Sequence, residues 1–149
     1  MMNTLHIFIN NFLKLKKNRE KKYIFCEIRK RYMSFNKEEV IRQYVIFLLK
    51  NIGHYKNSNI SVESSMKMYE SIKRYDVLVR CTKKNPYILI ECKSPYQKIT
   101  QKTFDQISMY NQIINASFLW ISNGIKNYIF QVNKHKKKYL FIKHIPLRK

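Results

Sequence analysis

The chain has 149 residues, room for one ordinary domain, and its 45% hydrophobic content is enough to build a core. Its two glycines, Gly53 and Gly124, exclude P-loops, dinucleotide-binding turns and KH-type loops, each of which needs several glycines close together. A formal net charge of +21 points to a polyanionic partner, foremost nucleic acid. The abundance of Lys, Asn, Ile, Tyr and Phe is also what an A/T-rich genome writes into proteins of any function, so the charge supports nucleic-acid binding without establishing it.

From the N-terminus, Leu5, Phe8, Ile9, Phe12 and Leu13 recur at helical spacing, which predicts an amphipathic helix packed on the domain. Asn3, Asn10 and Asn11 interrupt it, positive charge follows it, and no small-residue cleavage site appears, so it does not read as a signal peptide. No apolar run approaches the roughly 20 residues that span a bilayer, and no membrane partner is expected. Lys14 to Lys22 is a basic run, read as a solvated joint between an N-terminal extension (1–21) and the domain proper (22–149).

Lys22 to Ile28 predicts a short strand. Asn36 predicts an N-cap, with Glu38 and Glu39 in the first turn of a helix that runs to about Lys50 and ends near Gly53. Its apolar face centres on Ile41, Tyr44, Val45 and Leu48, and Glu38 lies nearer that face than Glu39. Strands are expected over Ile60 to Met68, Arg74 to Arg80 and Tyr87 to Lys93, a second helix over Thr100 to Ile114, and a buried strand over Ser117 to Ser122. Asn123-Gly124 signals a tight turn into Lys126 to Val132, and Lys138 to Ile142 ends the series. The order defines an α/β sandwich around a mixed sheet.

Cys26, Cys81 and Cys92 have no metal-ligand spacing and suit a reducing, cytoplasmic setting, while His6, His54, His135 and His144 are scattered singly. The chemistry-bearing residues lie elsewhere. Glu91 and Lys93, two apart on one strand, share a face. If the preceding hairpin turns at Lys83-Lys84, Asp76 falls opposite Glu91, with Cβ atoms roughly 5 Å apart. Two carboxylates so close repel unless a cation or a proton lies between them. Mg²⁺ favours carboxylate oxygens and keeps waters, which suits phosphodiester hydrolysis, and Lys93 can orient or help deprotonate the attacking water and oppose developing charge. An Asp and a Glu-x-Lys on adjacent strands also arise by chance as edge charges. Here, however, Glu91 follows the apolar run Ile88-Leu89-Ile90, deep in a sheet, where an acid and a base need an explanation.

RYDVLVR, YILIECKSP, ITQKTFDQISMYN and the later SNG resemble the type I restriction enzyme R-protein N-terminal domain family of the PD-(D/E)XK nuclease superfamily. The resemblance runs from about Tyr23 to the C-terminus and matches small stand-alone members that lack a motor. It implies a restriction-endonuclease-like αβββαβ core and a bacterial, Mg²⁺-dependent deoxyribonuclease (Mn²⁺ as a substitute), with Asp76 and Glu91 as metal ligands and Lys93 as the catalytic lysine. It further implies a supporting acid on the first helix, in FNKEEVIRQ, and a glutamine from the second. The acid is Glu38 or Glu39, with the helical face favouring Glu38, and Gln106 is the matching glutamine. Tyr75 stands where a proline often precedes the first acid.

In that context Lys83, Lys84, Lys98 and Lys102 are expected to flank the site and contact phosphates, and Tyr96 to stack on a base or pack against the second helix. The run Lys134 to Lys138 contacts phosphates or forms a solvated turn. The expected partner is DNA, with RNA also open, and a separate helicase, translocase or methyltransferase subunit would supply any motor. The rival reading is a non-catalytic nucleic-acid-binding module on the same fold.

Overall fold

The first apolar segment folds as α1 (Thr4–Ile7), started by the Asn3 side chain, and runs into one π-helical turn, Phe8–Phe12. Phe8 is fully buried, its ring centroid 5.2 Å from Tyr44 and 5.7 Å from Phe47, while Leu5 and Ile9 stay exposed. Of the five positions expected on the packed face, Phe8, Phe12 and Leu13 pack on the core and Leu5 and Ile9 do not, because the helix changes its winding after Ile7. The computed structural model describes residues 3–82 and 84–149.

The basic run is solvated along its whole length, as expected, but its backbone is ordered as a hairpin. Leu15–Asn18 is strand β1, paired antiparallel with β2 (Lys21–Cys26), which pairs in turn with β3 (Arg31–Ser34). Sheet pairing uses backbone groups, so lysine side chains can remain in water while the strand forms. Their charge therefore says little about the backbone.

Asn36 caps α2 (Lys37–Asn51): its Oδ1 accepts the Glu39 backbone N–H at 2.7 Å, satisfying one of the helix's free donors. Every residue from Ile41 to Leu49 is buried, a wider face than the stripe on Ile41, Tyr44, Val45 and Leu48. The sheet covers one flank and Phe8 and Phe12 another. Removing the cap in Asn36→Ala should cost about 1 kcal/mol, read in urea unfolding as a lower midpoint with unchanged slope.

Next come β4 (Ile60–Val62), β5 (Ser65–Met68) and β6 (Ser71–Arg74), then β7 (Val77–Thr82) and β8 (Asn85–Cys92). The single strand expected over Ile60 to Met68 is broken at Glu63, whose φ of 48° is left-handed. Its two halves join different sheets: β4 pairs with β7, and β5 forms a separate hairpin with β6. After α3 (Gln101–Ile114), β9 (Phe118–Ser122) lies parallel to β8, and β10 (Asn127–Asn133) and β11 (Lys138–Ile142) follow as antiparallel neighbours. The six-stranded order is β11-β10-β9-β8-β7-β4, and α2, β4, β7, β8, α3 and β9 reproduce the expected αβββαβ series.

Strand alternation sorts the core into two layers. Val77, Val79, Ile88 and Ile90 pack with α2, whereas Leu78, Leu89, Leu119 and Ile121 pack with Ile107 of α3. The turn signalled by Asn123-Gly124 forms one residue later, with Gly124-Ile125 at its centre: the Asn123 N–H donates to the Lys126 carbonyl at 3.2 Å, Gly124 has φ +86°, and a Cβ there would lie 2.6 Å from Ile41 Cδ1. The glycine thus lets the β9–β10 turn seat on the start of α2. Among the described residues no helix is long and apolar enough to cross a membrane.

Candidate active site

Val77 pairs with Ile90, and one more residue in this register sets Asp76 beside Glu91. Despite an irregularity around Arg80, the strands re-enter the same register at Thr82 and Asn85, which keeps the two acids opposite each other. Glu91 shares the α3 side of β8 with Leu89, and Lys93 follows directly after the strand. Lys93 Nζ lies 3.1 Å from Glu91 Oε1. Asp76 Oδ2 accepts the backbone N–H of Cys92 at 2.7 Å, so the main chain of β8 fixes the orientation of that carboxylate.

Glu91 is buried to 8% exposure, and its carboxyl is pushed up to about 7 by burial first and the Asp76 charge second, against the pull of Lys93. Burial lowers the Lys93 ammonium, but Glu91, Glu38 and Asp76 together outweigh it and raise its pKa. Burial also pushes the Cys92 thiol up, with the Asp76 charge in support, which leaves it an inert packing group.

The helix acids divide their work, although not as the helical face suggests. Glu39, 3% exposed, is the buried one, because two arginines compensate it: Arg29 of the β2–β3 turn at 2.6 Å and Arg42 at 2.9 Å. Glu38, with a side chain 43% exposed, faces the site itself. Burial and the Asp76 charge raise its pKa, while Arg42 and Lys93 pull it down.

Arg42 is the hub that sequence reasoning missed. Its guanidinium contacts Asp76 Oδ1 at 2.9 Å, Glu63 Oε1 at 3.1 Å and Glu38 Oε1 at 3.3 Å, besides Glu39. Glu63, also missed, bridges to Arg29 at 2.9 Å, and its backbone N–H donates to the Asp76 carbonyl at 2.8 Å. The available signal was the E-E-V-I-R spacing, which puts Arg42 one turn from both acids and just before the apolar run Tyr44–Leu49.

The other expected residues are dispersed. Gln106 makes its hydrogen bond along α3, to Tyr110 at 3.1 Å, and among the described residues it forms none with the acids. Lys84 does not flank the site: it sits at the β7–β8 tip, seven residues and roughly 20 Å along the strand from Glu91. Lys83 lies outside the described residues. Lys98 and Lys102 are exposed, before and within the first turn of α3. Tyr96 is 80% exposed and does not pack on α3; Lys37 Nζ sits 4.3 Å from its ring centroid instead.

A divalent cation fits the donor set. Among the described residues no three His, Cys, Asp or Glu groups form a closed metal cage. Two carboxylates completed by waters are a coordination typical of Mg²⁺, and the Asp76 repulsion, which adds to burial in raising Glu91, is what such a cation would relieve.

The class defined by this geometry is a mixed α/β sandwich carrying a carboxylate–lysine cluster at one end of its sheet. The chain belongs to the family of the type I restriction enzyme R protein N terminus (HSDR_N), whose model matches residues 37–146. Its fold is similar to a fragment structure from Vibrio vulnificus YJ016 described as an HsdR subunit of a type I restriction enzyme, at a TM-score of 0.55 and 19% identity. That similarity covers 78% of this chain and 24% of the other, so the chain spans about a quarter of the solved relative. No curated protein matches the chain.

Proposed function

We propose that the chain is a divalent-metal-dependent nuclease domain that hydrolyses phosphodiester bonds in DNA. The observation that carries this reading is where the acids are. Of nine Asp and Glu residues in a chain of net charge +21, five (Glu38, Glu39, Glu63, Asp76 and Glu91) converge around Arg29, Arg42 and Lys93. Compositional bias multiplies lysines across a whole sequence, but it does not gather the few acids into one place.

In this reading Asp76 and Glu91 hold Mg²⁺, or Mn²⁺ in its place. When bound, the ion supplies Lewis acidity at a phosphodiester oxygen and a water of lowered pKa. Lys93, held protonated by its acidic neighbours, donates to a phosphate oxygen and opposes the charge that develops there. A raised pKa makes Lys93 a poor proton acceptor, so its role as a base recedes. Glu38, the helix acid most open to solvent, orders the incoming water, and Gln106 has no role here that its contacts support. The free cysteines accord with a reducing, cytoplasmic setting.

Purified protein should nick supercoiled DNA or degrade linear DNA with Mg²⁺ or Mn²⁺, and Lys93→Ala should be slower by about 100-fold. No cleavage with either metal on either substrate would sink the proposal. One observation favours a second reading, a DNA-binding module without catalysis: Arg42 already sets a positive charge 2.9 Å from Asp76. That module would bind DNA in a salt-sensitive way that Lys93→Ala barely changes, with no cleavage at all.

A further inference from the structure

The carboxylate row does not stop at Glu91. Glu91 pairs with Ile121 on β9, and Ile121 with Tyr128 on β10. The Ile129–Ile142 pairing carries the row on to Lys143, just past β11. Adjacent strands are about 4.8 Å apart, so Tyr128 stands roughly 10 Å from Glu91 on the same face of the sheet.

Between these positions lies a groove of about 410 Å³. Its floor is Ile121, Tyr128 and Phe130, and its wall is Ile99, Gln101 and Phe104 at the start of α3. Phe104 packs edge-on against Phe130 at 4.9 Å, and Tyr128 is braced by Phe141 at 5.9 Å, so the aromatic surfaces are held in place before any ligand arrives. No described element covers the outer part: Tyr139 is 42% and Phe141 50% exposed.

Apart from Asp105 and the carboxylate cluster at the inner end of the row, the charged residues around the groove are basic. Residues 106–149 include eight Lys or Arg and no Asp or Glu. Lys98, Lys102, Lys126 and Lys143 are exposed around the groove and the row, and the nearby acid Asp105 is bonded by the Gln101 amide at 2.9 Å. An apolar, ring-lined slot within a basic rim matches the two parts of an unpaired nucleotide, a flat base and its phosphate. A duplex offers its backbone but keeps its bases stacked inside.

We propose that this groove takes an unpaired base of a DNA strand, with Tyr128 as the stacking ring, so that the substrate reaches the carboxylates as a single strand or a frayed end. The proposal rests on the nuclease reading for the site beside it, but it is tested without cleavage. Fluorescence anisotropy in EDTA would compare a fluorescein-labelled dT12 strand with a 12-base-pair duplex. Tyr128→Ala should weaken dT12 binding about fivefold or more while changing duplex binding less than twofold, and Tyr128→Phe should restore it. Equal loss on both probes, or none on either, overturns the proposal whether or not the protein cuts DNA. Photocrosslinking of an iodouridine-substituted strand to the unmodified protein needs no variant: adducts should map to Tyr128 or Phe104, and adducts found only outside the groove overturn it too.

Discussion

Arg42→Met is expected to lower the unfolding free energy by about 3–5 kcal/mol, the usual cost of removing one partner from a buried ion pair. Methionine fills much of the arginine stem's volume, so the loss reports the charge more than a cavity. Arg42 has a side chain 4% exposed and contacts four carboxylates, of which Glu39 is equally buried. Without it, Glu39 keeps Arg29 and the Gln43 amide, which donates at 3.2 Å, and Asp76 keeps only the Cys92 backbone N–H. At roughly 2–4 °C per kcal/mol for a chain of this size, the melting temperature should fall by about 10 °C. Arg42→Lys, which keeps the charge but loses the fork, should fall between the two proteins. A change under 1 kcal/mol in Arg42→Met would show the network to be incidental.

Glu91→Gln should act in opposite directions on stability and activity. A carboxyl raised from 4.5 to about 7 makes the folded state bind more protons than the unfolded state between those values. The contribution of Glu91 to stability is therefore greatest with Glu91 neutral, below about pH 4.5; it declines as pH rises toward 7 and stays reduced above. A shift of this size corresponds to about 3 kcal/mol, an upper bound on what the Glu91→Gln variant regains at pH 8, since Lys93 loses its partner. Urea unfolding in EDTA at pH 4.5 and pH 8 should show the variant gaining on the wild type only at the higher pH. Cleavage should fall at least about 10³-fold, near 4 kcal/mol of barrier, as expected for loss of a metal ligand. Mg²⁺ should raise the melting temperature of the wild type at pH 8 but not of the variant. A variant that cuts DNA normally would remove Glu91 from the chemistry.

Features governed by short-range rules were legible in the sequence. The Asn36 cap, the span of α3, the turn signalled by Asn123-Gly124 and the bounds of β11 all follow from local propensity and turn chemistry. The facing of Asp76 and Glu91 follows from a two-residue loop and strict alternation, which act across one hairpin. What escaped depends on partners outside the segment itself, whether near or far in the chain. Leu15–Asn18 is a strand because β2 is there to pair with it, and the left-handed Glu63 leaves no mark in the run from Ile60 to Met68. Glu39 reads as the more solvated helix acid until Arg29, ten residues earlier, arrives to neutralise it. Lys84 reads as a site residue because it is close in sequence, yet a hairpin puts its tip at the end opposite its open strand termini.

The outer strand β11 has a consequence for handling the protein. Tyr139, Leu140 and Phe141 are all substantially exposed at a sheet edge whose outward backbone groups have no described partner. Lys138 and Lys143 bracket them as gatekeepers, a common natural defence against edge-to-edge pairing. That defence is electrostatic and weakens as ions shorten the Debye length. Concentrated salt, the usual means of stripping nucleic acid from a basic protein, would therefore also lower the barrier to strand-to-strand self-association.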